Sequence, residues 1–265
     1  MSYFPFLLLP QLPEFSSEIS LHNFPPNNWE HRLKESQFVN ATFESNGFWN
    51  TVTLDTIDAY SSKKITLEDL KGKIPHSAYP FLSLSYKRLP EKSEYLPDID
   101  SIKTYTPVSR ATICLKSHSA SATYQGEINP FPQKASLLSF VPFLQFKTHI
   151  KNYLFFINLE KNPKRREGLI EIYDAKSKSL KTKKIVRNNF LNFIPLDSYC
   201  FSEEEIPIVI SRDMSGIPLY FSSTNDSEFL NIEHTHPPAS MAVLGNRFMV
   251  QSKLKKAWFS ELKDG

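Results

Sequence analysis

From residue 111 onward, apolar side chains come in short runs roughly ten residues apart, separated by Asn, Asp, Ser, Lys and Pro, and that rhythm belongs to antiparallel β architecture. The runs fall at 111–116, 119–124, 152–159, 169–173, 180–186, 190–194, 206–210, 219–222 and 229–233. Most are too short for helices. The run NYLFFINL at 152–159 is apolar at nearly every position, as a central strand buried on both faces requires. Helix enters at the end, where Leu254, Trp258 and Leu262 fall four apart and leave Lys255, Lys256 and Lys263 mostly outward.

The first hundred residues read differently. Prolines at 5, 10, 13, 25, 26, 75, 80, 90 and 97 break most helical patterns, because each lacks a donor and restricts the residue before it. Strands are expected at 37–44, 49–57 and 81–86, with a short helix at 67–71 whose capping box is Thr66 with Asp69 and whose stop is Gly72. The expected fold is mostly β: an antiparallel, β-sandwich-like architecture with an irregular Pro-rich N-terminal portion and a short C-terminal helix. The division is 1–105 for the irregular, β-containing portion and 106–265 for the sandwich-like domain. The fragments Ala41-Thr42-Phe43-Glu44 and Ala122-Thr123-Tyr124-Gln125 are similar, but four residues do not establish a duplication.

Seven glycines in 265 residues, no two within a dozen positions, exclude whole classes of chemistry. A dinucleotide-binding turn and a phosphate-cradling loop need closely spaced glycines so that backbone can approach phosphate, and neither pattern occurs. The glycine-flanked Ser elbow of hydrolases and the kinase glycine loop are missing as well. Cys114 and Cys200, 86 residues apart, form no CxxC pair. The N-terminal MSYFPFLLLPQLPEF has no basic leader and its apolar run is broken by Pro5 and Pro10, so a cytoplasmic location without a membrane span is expected. With 31 Lys and Arg against 28 Asp and Glu, net charge selects no partner.

Three constellations could carry function. In Glu233-His234-Thr235-His236-Pro237-Pro238 the two histidines lie on one face of an extended strand, the placement of two metal ligands, with His118, His149 or His76 as candidates to complete the set. The spacing departs from that of cupins, since no acid follows His236 within the next few residues, and from that of amidohydrolases, which carry the motif early in the chain. The bland reading is a hydrogen-bonded pair at a strand edge. Cys114 and His118 sit four apart on a strand, too far for a nucleophile and its base.

Tyr124, Gln125 and Glu127 offer an aromatic plate beside hydrogen-bonding groups, the composition of a polar small-ligand surface. Arg212 and Asp213 form a second ligand candidate inside what also reads as ordinary turn chemistry. Residues 161–187 hold ten bases and three acids, and Lys161, Lys164, Arg165, Arg166, Lys183 and Lys184 make a basic patch. Such a patch meets a polyanion, or it guards a strand edge against pairing. Tyr173 is the single aromatic among the bases, too few for the interleaving that single-stranded nucleic acid wants, which argues against nucleic acid. The sequence favours a non-catalytic binding or accessory module for a protein or a carbohydrate or polyanionic partner, without a cofactor; the alternative is a divalent-metal enzyme built on His234 and His236.

Overall fold

The computed structural model describes residues 3–24, 35–99, 111–140, 149–196, 202, 204–234 and 247–262, with His234 and residues 247–251 described by backbone alone. Among these residues the fold is mostly β, in four antiparallel sheets with a C-terminal helix. The first sheet runs β1 (Phe4–Pro5), β6 (Phe81–Ser85), β3 (Gln37–Ser45), β4 (Phe48–Ile57) and β7 (Lys92–Ser93). The second runs β5 (Ser62–Thr66), β2 (Ser16–His22), β8 (Ala111–Lys116) and β9 (Ser121–Tyr124), so it joins strands from either side of residue 105. The third has the order β14 (Phe190–Pro195), β11 (Ile150–Asn158), β16 (Ile217–Thr224) and β17 (Leu230–His234). The fourth has β10 (Leu137–Phe140), β15 (Pro207–Ser211), β12 (Glu167–Asp174) and β13 (Leu180–Arg187). The helices are α1 (Leu67–Leu70) and α2 (Arg247–Glu261).

Local chemistry sets several of these elements. β3 and β4 form a hairpin whose two-residue turn is Asn46-Gly47, both at positive φ, the pairing that matches the twist of the flanking strands. In α1 the Thr66 N–H and hydroxyl both donate to the Asp69 carboxylate, at 2.8 and 2.9 Å, and Gly72 takes φ +73° just beyond the helix, as the sequence predicts.

β11 is the strand on which the packing turns. Its Tyr153, Phe155 and Ile157 enter a large core shared with the first and second sheets, while Leu154 and Phe156 enter another with Ile170, Ile172 and Val209 of the fourth sheet. Both faces are therefore buried. Tyr153, Phe155, Phe193 and Phe221 stack in a four-ring block, centroids 5.2–5.8 Å apart, which accounts for the aromatic density of the run. On the far face of the fourth sheet, Tyr173, Ile208 and Ile210 pack against Trp258, Phe259 and Leu262 of the C-terminal segment.

Two departures from the sequence reading stand out. β2, β5 and β10 were not expected, nor were the two-residue β1 and β7. The helix packs Trp258 and Leu262 inward as their spacing predicts, but Leu254 is 52% exposed, while Lys255 turns inward and donates from Nζ to the Ser136 carbonyl at 2.7 Å. Burial holds the Lys255 amine below its ordinary pKa. Among the described residues no helix is long and apolar enough to cross a membrane.

Candidate functional site

The Pro-rich N-terminal stretch, which forms almost no regular structure, builds one wall of a concavity. With Pro5, Pro10 and Pro13 excluding helix, the chain advances by short turns, Leu8 N–H to Phe6 C=O, Leu12 to Leu9 and Phe15 to Leu12. Tyr3 anchors it through a bridge with Ile128 and a hydroxyl bond of 2.8 Å to the Pro97 carbonyl. Opposite this wall stands α1 with the 72–80 loop, tied back by Lys71 N–H to Leu67 C=O and Ile74 N–H to Leu70 C=O. Between them lies a cavity of about 640 Å³ lined chiefly by Phe6, Leu7, Phe15, Leu70, Ile74 and Pro80. That volume is in the range of small-molecule sites, roughly 300–1,000 Å³.

The carboxylates at this groove are already paired. Glu18 on the wall meets Lys116 at 2.7 Å and Lys64 at 3.1 Å, and the hydrogen bond from Lys116, reinforced by Lys64, holds its carboxyl below the usual range against the opposing effect of burial. Glu68 pairs with Lys71 at 3.6 Å on the exposed rim. The Ser17 hydroxyl is buried without a hydrogen-bond partner, so it adds no polar surface to the floor. The floor is hydrocarbon, and exposed Leu67 extends it to the rim.

Of the residues singled out by sequence, exposed His76 is on the lining of this groove, and the others lie elsewhere. Tyr124 is buried in the large core, where burial raises its hydroxyl pKa, while Gln125 and Glu127 are exposed. Gly126 lets the chain pass over the Tyr124 ring, since a Cβ there would collide with that ring and hydroxyl. Arg212 does not pair with Asp213. Its guanidinium reaches Glu171 at 3.3 Å and lies 5.0 Å from the Phe259 ring centre, while Asp213 accepts from the Ser211 hydroxyl at 3.1 Å and Leu169 N–H at 3.3 Å.

Much of the basic patch is neutralised by acids. Arg166 pairs with buried Glu160, Lys183 with Glu171 at 3.3 Å, and Arg165 with Glu167 at 3.2 Å. Lys161 serves through its carbonyl, which accepts from Trp49 Nε1 at 2.9 Å and Leu96 N–H at 2.8 Å, with its side chain and that of Lys164 exposed. Lys184 is half-buried on β13. His118 is exposed in the β8–β9 turn and His234 ends β17 opposite Leu219, while His236 lies outside the described residues. Among the described residues no three His, Cys, Asp or Glu side chains come together as a metal site.

The sequence reading missed the groove because its walls come from segments read as irregular. One signal was present: the apolar run 6–9 lies between prolines that forbid a long helix or a central strand, so its side chains had to line a core or a cavity. No protein-family model, curated protein or solved structure gives a significant match to this chain.

Proposed function

We propose that the chain is a non-catalytic binding module whose ligand is an apolar group of small-molecule size held between the 6–18 segment and α1. The groove carries this reading: a preformed concavity with a hydrocarbon floor and internally paired charges gains most from excluding water from apolar surface. Glycans and polyanions, raised by the sequence, suit such a floor poorly because their polar groups would be desolvated without partners. In this reading the third and fourth sheets act as a sandwich-like support, and the free thiol of Cys114 fits a reducing, cytoplasmic setting.

The test uses the neutral solvatochromic dye Nile red. Its emission should shift blue on binding, and Ile74→Glu or Leu67→Glu, each placing a charge on the wall, should weaken binding at least about tenfold, or about 1.4 kcal/mol. Ile185→Glu, the same kind of change at a 72% exposed position on β13, should leave binding unaltered. Equal binding by all four proteins would overturn the proposal.

A further inference from the structure

β13 is an edge of the fourth sheet, and its outward backbone is guarded at both ends, while among the described residues no strand pairs with its middle. The Asn188 N–H donates to the Arg166 carbonyl at 3.0 Å, so the even-numbered residues face β12, and the odd-numbered ones turn away. Arg187 demonstrates the outward direction: its N–H donates to Asn192 Oδ1 at 2.7 Å and its carbonyl accepts from Asn192 Nδ2 at 2.9 Å, so one side-chain amide stands in for a strand. At the other end the register shifts between Ile172 and Tyr173, where Thr182 and Leu180 are the successive partners, and the irregularity falls at Lys181. Bulges of this kind twist an edge out of reach. Between cap and bulge, the same alternation turns the N–H and C=O of Lys183 and Ile185 outward.

The side chains there define a partner. Ile185 is 72% exposed beside Leu169, its cross-strand neighbour. Lys183 and Arg212 share the single carboxylate of Glu171, both at 3.3 Å, which leaves positive charge beside Ile185. A second copy of β13 is a poor occupant, because a strand reading Lys-Lys-Ile-Val-Arg would set like charges opposite one another. An extended segment with acids flanking an apolar residue meets both the charge and the exposed isoleucine. We propose that the 183–185 edge of β13 accepts, by antiparallel strand addition, an extended acidic segment of a partner protein with an apolar residue opposite Ile185. This site is separate from the groove and does not depend on it.

The experiment follows amide hydrogen exchange of the full chain with the peptide acetyl-Glu-Val-Val-Glu-Glu-amide in excess. The Lys183 and Ile185 amides should exchange about tenfold more slowly, and the same peptide with Lys for each Glu should give no protection. Ile185→Pro removes an outward N–H that the β12 ladder does not use and should abolish the effect. Should that variant fail to fold, Ile185→Glu, at an exposed side chain, should abolish it by like-charge repulsion. Equal protection by the lysine peptide, undiminished protection in Ile185→Glu, or protection of these amides by concentration-dependent self-association without peptide would each overturn the assignment.

Discussion

At the scale of single residues, polar side chains mostly fasten backbone. Asp174 accepts from the Ser177 hydroxyl and N–H, at 2.6 and 2.8 Å, from Ile206 N–H at 3.1 Å and from Lys176 N–H at 3.3 Å. Burial alone would raise its pKa, yet these four bonds outweigh it and bring the group from 3.8 down to about 2. A carboxylate with a depressed folded pKa contributes its stability fully above the unfolded value. As pH falls from 3.8 through about 2 that contribution is lost, to the extent of about 2 kcal/mol. Asp174→Asn should therefore lower stability at neutral pH and flatten its pH dependence in that window; urea unfolding at a series of pH values checks both. Gly216 is constrained by space, since a Cβ there would lie 2.5 Å from the Ile157 carbonyl and 2.6 Å from the Phe156 ring. Gly216→Ala should cost about 1–3 kcal/mol, measured as a drop in the urea midpoint.

Among the elements, strands were legible where alternation or a continuous apolar run survived. Residues 111–116 fall where read, and 152–159 differs from β11 only at its ends. β2 was lost although Ile19 and Leu21 alternate with Glu18 and Ser20, because prolines on either side made the region look irregular, and its pairing comes from the distant β5 and β8. The period of the C-terminal helix places Trp258 and Leu262 inward, as the structure does, but fails at its first turn, with Leu254 exposed and Lys255 turned in. Hydrophobicity alone points Leu254 inward, whereas the contact with Phe140 and the Ser136 carbonyl favours Trp258 and Lys255, whose long stem covers apolar surface while its amine finds an acceptor. Adjacent lysines then behave differently: Lys255→Ala should cost about 1 kcal/mol in thermal unfolding, and exposed Lys256→Ala should be silent.

For the molecule as a whole, one core draws on side chains from Tyr3 to Leu230. Trp49 Nε1 to the Lys161 carbonyl, Arg187 to Glu44 at 2.7 Å and the Ser117 hydroxyl to the Ser227 carbonyl at 2.6 Å link segments more than a hundred residues apart. Calorimetry should show a single unfolding transition, because neither portion can lose that core alone; two resolved transitions would contradict it. These long-range contacts also explain why the groove was hidden. Side-chain period reports which face of an element is apolar, but a cavity between two irregular segments is created by where the rest of the fold holds them.

If the groove between the 6–18 segment and α1 takes an apolar ligand, methyl-resolved NMR of the full chain during titration with 1-octanol will locate it there. The methyl signals of Leu7, Leu70 and Ile74, which line the groove, should move first and saturate together, while those of Ile170, Ile172 and Val209 between the third and fourth sheets stay in place. Shifts centred on the second set, or none at saturating octanol, would contradict that placement.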